Sequence, residues 1–129
     1  MSILPEGRMF TWGMDQAKNL AQVTFSGKVT IEEGRLCAQK IRGGPFILQP
    51  GFTLLTDLSQ LELMDPGCAA DIKSIMDFLD QHEIARVVRI IPDPQKDIGF
   101  GIMSLFHYNK GVRIVTCATR DEAERMLAA

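Results

Sequence analysis

The sequence is poor in the residues and patterns that metalloproteins, secreted proteins and membrane proteins require. It has three cysteines among 129 residues, and none forms a Cys-x-x-Cys pair or lies near a histidine at metal-ligand spacing. No stretch approaches the roughly 20 apolar residues of a membrane-spanning helix, and the first residues lack the regions of a signal peptide. We therefore expect a cytoplasmic protein with no metal, no cofactor and no membrane contact.

The motifs of common enzyme classes are also missing. The sequence has no Gly-x-Ser-x-Gly elbow, no Gly-Lys-Ser/Thr phosphate loop and no Gly-x-Gly-x-x-Gly after a first strand. His82 and His107 have no partner evident in the sequence for base catalysis, and we interpret both as surface or core-edge side chains. The sequence therefore predicts no catalytic residue, and an enzyme using Cys68 or His107 is the least favoured interpretation.

The charge and size of the chain indicate one ordinary globular domain. Its 14 basic and 16 acidic residues give a net charge of -2, too weak a field to attract nucleic acid or anionic lipid. With 46% hydrophobic and 23% charged residues, the chain resembles a typical globular protein. We expect residues 1–129 to form a single domain. Association into a homodimer is compatible with the sequence.

Five segments have the patterns of β-strands. Residues 9–14 and 20–26 alternate apolar and polar side chains, which predicts a hairpin at a sheet edge. Residues 52–58, 86–91 and 112–117 are short and mostly apolar, which is typical of strands buried on both faces. We expect these last three strands to form the centre of the sheet.

The helices are marked by capping boxes and apolar stripes. Thr30 and Glu33 form a capping box, which predicts a helix to about residue 42. A helix over 72–79 and one over 98–106 follow from i, i+3, i+4, i+7 spacing, and a second box at Thr119 and Glu122 begins a terminal helix. The predicted fold is α/β, an open mixed sheet of about five strands with about four helices, in the order ββαβαβαβα.

Two segments resemble a known family. Leu54-Leu55-Thr56-Asp57-Leu58-Ser59, followed by Met64-Asp65-Pro66-Gly67-Cys68 at a helix start, resembles the central signature of STAS domains, the anti-sigma-factor antagonists. Phe25-Ser26-Gly27-Lys28-Val29-Thr30 resembles the corresponding step of the SpoIIAA-like branch, and Thr119-Arg120-Asp121-Glu122-Ala123-Glu124 its closing helix. The likeness covers residues 20–127.

The resemblance implies a regulatory, non-catalytic module whose partner is an anti-sigma factor or a kinase-like regulator. It also implies a phosphorylated hydroxyl at the helix start. Here Asp65 matches the family's Asp, but Pro66 and Gly67 occupy the two hydroxyl positions and Cys68 occupies the Gly. The phosphoacceptor is therefore missing, and we expect the loop to serve as a docking surface formed by Asp65, Pro66, Gly67, Cys68 and Ile72.

Simpler roles remain open for the same residues. Asp65 precedes a proline suited to a first helical turn, so it could simply cap the helix. Cys68 in that first turn could be a thiolate favoured by the helix dipole, whereas Cys37 and Cys117 are interpreted as packing residues. Asp57 could accept a phosphate, but hydrogen bonds to loop amides are favoured.

A different function, small-ligand binding, is suggested by two arginines. Arg89 and Arg113 lie inside otherwise apolar strands, where an unpaired charge is expensive to bury. They could form ion pairs, lie at an exposed edge or hold an anion in a pocket. The seven methionines could line an apolar cavity or simply fill the core. The alternative to a protein-binding module is therefore a domain that binds a small apolar ligand or an anion.

Overall fold

A computed structural model describes residues 8–91 and 111–128. The strands are β1 (Phe10–Asp15), β2 (Leu20–Val29), β3 (Thr53–Met64), β4 (Arg86–Ile90) and β5 (Arg113–Cys117). The helices are α1 (Ile31–Gly43), α2 (Ala69–Gln81) and α3 (Arg120–Ala128), with a 3-10 turn (Pro66–Cys68) leading into α2. The predicted helix over 98–106 lies outside the described residues, which contain three α-helices rather than about four.

The strands form one mixed five-stranded sheet in the order β1-β2-β3-β4-β5. β1 and β2 are antiparallel and the other neighbours are parallel, which confirms the predicted edge hairpin and the α/β class. The predicted sheet centre is wrong in one respect. β5 ends the described sheet, and most of its side chains are exposed or half-buried because β4 is its only neighbour among the described strands.

Helices cover the two faces of the sheet unequally. α1 and α2 pack on one face, over a large core that includes Phe25, Phe52 and Leu54. α3 packs on the opposite face over a small cluster that includes Leu55, Val88 and Ala123. α3 contacts β4 and β5, so it leaves the β1–β2 side of its face without a helix among the described elements.

β3 is much longer than the predicted strand at 52–58. Two register shifts against β2 each give β3 one extra residue. As a result, the buried side chains of its second half are spaced by three residues rather than two: Leu58, Leu61 and Met64. β4 pairs only as far as Asp57, so the end of β3 extends with β2 beyond the rest of the sheet.

Both capping boxes are only half confirmed. The hydroxyls of Thr30 and Thr119 accept hydrogen bonds from the amides of Glu33 and Glu122, both at 3.2 Å. The carboxylate of Glu33 does not return to Thr30; it accepts from the Met9 amide at 2.8 Å and pairs with Arg8 at 3.1 Å. Glu33 thus fastens the start of β1 to α1.

None of the helices within residues 8–91 and 111–128 combines the length and apolar character that crossing a membrane would require.

Candidate functional site

The loop after β3 is fixed by three hydrogen bonds, one to the end of β2 and two within the loop. The Asp65 amide donates to the Val29 carbonyl at 3.0 Å, and Asp65 Oδ1 accepts from the Gly67 amide at 2.8 Å. The Cys68 amide closes the turn on the Asp65 carbonyl at 2.9 Å. Asp65 therefore caps the 3-10 turn, as the simpler interpretation of this residue predicts.

The turn also packs tightly on the first residues of α1. A Cβ at residue 67 would lie 2.7 Å from Ile31 Cγ1, and a Cβ at residue 34 would lie 2.9 Å from Cys68 Sγ. The Cys68 thiol donates to the Thr30 carbonyl at 3.4 Å. Glycine is thus needed at Gly34, where the atoms in the way belong to the buried Cys68, whereas at Gly67 the exposed Ile31 side chain could move aside.

The loop divides into an exposed part and a buried part. Pro66 and Gly67 are exposed and Asp65 is half-buried, whereas Cys68 and Ile72 have exposed fractions of 0% and 2%. These two side chains belong to the large core under α1 and α2. Two large apolar side chains near the loop are exposed, Ile31 at 40% and Leu63 at 43%. We call Ile31, Leu63, Asp65, Pro66 and Gly67 the loop surface.

The three cysteines are free and buried. Burial, with the nearby carboxylates of Asp65 and Asp71, raises the pKa of the Cys68 thiol. The alternative of a Cys68 thiolate favoured by the helix start is therefore not supported, because burial and these two carboxylates all favour the neutral thiol. Burial also raises the pKa of Cys117, and burial together with the Glu33 carboxylate raises that of Cys37 from 9.0 to about 12.

We expect all three thiols to react slowly in the folded protein. With Cys37→Ala and Cys117→Ala leaving Cys68 alone, a disulfide reagent at pH 8 should label the native chain at least about 100-fold more slowly than the urea-unfolded chain, because labelling requires opening. Native labelling as fast as unfolded labelling would contradict the buried, neutral thiol.

The stability of the wild type should depend on the protonation of Cys37. Its neutral thiol stabilises the fold below about pH 9, and the free energy of unfolding should fall as the pH rises from about 9 to about 12.

Asp57, at the carboxyl end of the β3–β4 pairing, is engaged by neighbouring groups. Its Oδ1 accepts from the Ser59 amide at 2.9 Å, and its Oδ2 accepts from Arg120 Nη1 at 3.2 Å. This carboxylate links the sheet to the first turn of α3. The amide that Asp57 binds belongs to Ser59 within β3, not to a loop, so the hydrogen-bonding interpretation holds with a strand amide and a guanidinium as partners.

His82 belongs to an aromatic cluster at the end of α2. Its ring stacks on Phe46 with centroids 4.2 Å apart and lies 4.5 Å from Phe78. The half-buried ring is thus part of the core edge, as predicted. His107 lies outside the described residues.

The two arginines that the sequence suggests as ligand contacts lie apart from the cleft on the α3 side of the sheet. Arg89 donates from Nε to Thr116 Oγ1 at 2.8 Å, and Arg113 is exposed on β5. Neither residue lines the cleft described next. Of the interpretations offered, the exposed edge position fits Arg113, and within residues 8–91 and 111–128 the hydroxyl of Thr116 accepts from Arg89.

Sequence reasoning missed a cleft of about 970 Å³ on the α3 side of the sheet. We call it the hairpin cleft, because it lies between the β1–β2 hairpin and α3. Its charged lining residues are Asp15, Lys18, Arg86, Arg120 and Glu124. Its remaining lining includes Trp12, Gly13, Leu20, Gln22, Thr53, Leu55 and Leu127. A glycine inside the predicted first strand was the available signal, since strand glycines often mark a close approach by another group.

No group of three or more His, Cys, Asp or Glu side chains within 8–91 and 111–128 is arranged to hold a metal ion.

Comparisons with known proteins identify the fold. No family model matches the chain, and no curated protein matches it. It is similar to the crystal structure of an uncharacterized DUF3478-family protein with a SpoIIAA-like fold from Shewanella loihica PV-4. The TM-score is 0.63 at 16% sequence identity, over 98% of this chain and 99% of that one. The chain therefore has a SpoIIAA-like fold, as the sequence resemblance implied, and the likeness carries no function with it.

Proposed function

We propose that this chain is a non-catalytic regulatory module of the cytoplasm that binds another protein through the loop surface. The observation that carries the proposal is the exposure of Ile31 and Leu63, at 40% and 43%, beside a loop fixed by its own hydrogen bonds. A loop that is already ordered loses little conformational entropy on binding. Exposed apolar surface with polar groups at its rim is a mark of protein–protein interaction sites.

The proposed partner is an anti-sigma factor or a kinase-like regulator, and the sequence resemblance to STAS domains supports this class. Pro66 and Gly67 supply no hydroxyl, so phosphorylation of these two positions does not control docking. The Asp65 carboxylate adds a negative charge beside the apolar side chains. A complementary partner presents an apolar groove with a basic group at its rim.

The proposal is tested by variants that change the loop surface without changing its shape. Asp65→Asn keeps an oxygen that caps the turn and removes the charge, and Leu63→Glu places a charge at an exposed position. We expect each to weaken capture of one specific partner by about tenfold or more, since anchor residues contribute 1–2 kcal/mol or more to binding. Affinity purification with quantitative mass spectrometry identifies that partner, and titration calorimetry with the purified protein measures the loss.

Ile47→Glu is the matched control, because Ile47 is as exposed as Ile31 at 40% but lies in the segment after α1. This variant should bind the partner like the wild type. Equal recovery of the same proteins by the wild type, Asp65→Asn and Leu63→Glu would show that the loop surface is not the docking site. If Ile47→Glu lost the partner to the same extent as the loop variants, the loop surface would again not be the docking site.

A further inference from the structure

We propose that the hairpin cleft is a binding site for a small organic carboxylate with an apolar body. The site lies on the sheet face that α3 covers and shares no residue with the loop surface. Its volume, about 970 Å³, lies at the upper end of the range for small-molecule pockets, roughly 300–1,000 Å³. The proposal is therefore independent of the protein-binding function.

The floor of the cleft is the part of the sheet that α3 does not reach. Gly13 pairs with Gln22, and Thr11 pairs with Thr24, on β1 and β2. The neighbours Trp12 and Met14 pair with Val23 and Ala21, which are buried on the opposite face under α1. Alternation along the strands thus turns Thr11, Gly13 and Gln22 towards the α3 side.

Gly13 is the feature of this floor that folding does not explain. Its φ is not positive, and a Cβ added to it would meet no described atom within 4 Å. Glycine weakens a strand interior, and no turn or close packing requires it here. A bare stretch of backbone at the base of a cleft leaves room for a ligand to lie directly on the sheet.

The charged groups of the cleft favour a single negative charge on the ligand. Arg86 is held by Thr53 Oγ1 at 3.2 Å and by the Met126 carbonyl at 3.1 Å, and these bonds use Nε and Nη1. Its Nη2 and the Lys18 ammonium have no hydrogen-bond partner among the described residues. Arg120, in contrast, is neutralised by Asp57 at 3.2 Å and Glu124 at 3.6 Å.

Acidic groups also line the cleft and limit the charge that it accepts. Asp15 and Glu124 line the cleft, and Asp57 and Glu124 pair with Arg120, so Arg86 and Lys18 are the cations left to meet a ligand. A carboxylate brings one negative charge to these two cations, whereas a phosphate group would bring nearly two negative charges close to the Asp15 and Glu124 carboxylates. An Arg nitrogen and a Lys ammonium suit a carboxylate as donors.

The rest of the lining suits an apolar body. Leu20, Leu55 and Leu127 contribute to the cleft, and Leu20 and Leu127 are half-buried against the α3 cluster. Burial of alkyl groups on these side chains contributes about 25 cal/mol for each Å² removed from water. The ligand thus places its carboxylate towards Arg86 and Lys18 and its alkyl or aryl part on the sheet.

The test uses octanoate, octan-1-ol and inorganic phosphate as probes. Binding is followed as a ligand-induced rise in melting temperature, because the one tryptophan of the chain, Trp12, packs on the core of the opposite sheet face. We expect octanoate to raise the melting temperature with increasing concentration and to bind about tenfold or more tightly than octan-1-ol, because a charged hydrogen bond contributes about 1.5–3 kcal/mol. Phosphate should not compete. Equal binding of octan-1-ol, or competition by phosphate, would overturn the carboxylate assignment.

Gly13→Leu tests the place of binding. The added side chain projects into open space and should fill the floor, lowering octanoate affinity by about tenfold or more with no loss in melting temperature. Gly43→Leu is the matched control, because a Cβ there also meets no described atom within 4 Å, at the far end of α1. Calorimetry supplies a second measure of binding.

Lys18→Gln tests the positive charge of the cleft. Lys18 is exposed, so removing its charge should leave the fold unchanged, as circular dichroism would verify. It should weaken octanoate but leave octan-1-ol unaffected. Absence of both a rise in melting temperature and a saturable heat with millimolar octanoate would overturn the proposal. Wild-type affinity in Gly13→Leu would place binding elsewhere and overturn it too.

Discussion

Replacing Phe52 by alanine should lower the free energy of unfolding by about 3–5 kcal/mol, the usual cost of removing a buried aromatic ring. Phe52 has an exposed fraction of 0% and belongs to the large core under α1 and α2. Its ring meets Phe46 edge to face with centroids 5.0 Å apart. Stabilities of this size of domain are about 5–15 kcal/mol, so the variant should be close to unfolding at elevated temperature.

Chemical denaturation of the wild type and of Phe52→Ala measures the change in the free energy of unfolding. Phe46→Ala is the comparison, because Phe46 is half-buried and should cost clearly less. The double variant gives the coupling of the two rings, expected at about 0.5–1.5 kcal/mol for an aromatic pair. A loss below about 1 kcal/mol for Phe52→Ala would show that the ring is not packed as described.

Gly34→Val should destabilise the fold by about 2–3 kcal/mol through overpacking. A Cβ at this position would lie 2.9 Å from Cys68 Sγ and 3.3 Å from Cys68 Cβ, closer than normal contact. Both residues are buried, so neither α1 nor the 3-10 turn can move apart without opening the core. The effect on helix propensity opposes this loss, because glycine is a poor helix former.

Cys68→Ala in the Gly34→Val background should recover part of the lost stability, because it removes the Sγ atom that the added valine side chain would meet. Cys68→Ala alone in the wild type should be mildly destabilising. The denaturant midpoints of the wild type, the two single variants and the double variant together form a double-mutant cycle. Additive effects, with no recovery in the double variant, would contradict the contact between α1 and the turn. The same contact fixes the position of the loop surface, so Gly34→Val should also weaken partner binding.

The positions of most elements follow from local sequence, because hydroxyl caps and apolar spacing act over a few residues. Thr30 and Thr119 cap helices as predicted, and the α2 stripe is buried as predicted. The length of β3 does not follow from local sequence. Its two bulges change the apolar spacing from two to three, and bulges are set by pairing with β2. The pattern therefore breaks after Leu58, where the sequence predicts the end of the strand.

The candidate sites follow from the sequence less well than the elements do. The loop Asp65-Pro66-Gly67 was found through its resemblance to a motif, and the structure places it at the surface. Arg86 was overlooked in favour of Arg89, three residues away on β4. Three residues along a strand change the face, and which face carries a cleft depends on where α3 packs. Likewise, burial of Cys68 depends on the approach of α1, which no local pattern encodes.

The pairing of β2 with β3 has a consequence for how the chain reaches this structure. Leu20 meets Thr53 and Val29 meets Met64, with the whole of α1 in between. The β1–β2 hairpin closes over a short turn within microseconds, whereas parallel strands must wait for a long loop to close and for its helix to dock. Folding therefore slows at the joining of β2 and β3. Until that step, the apolar face of β3 stays open to other chains as the polypeptide leaves the ribosome.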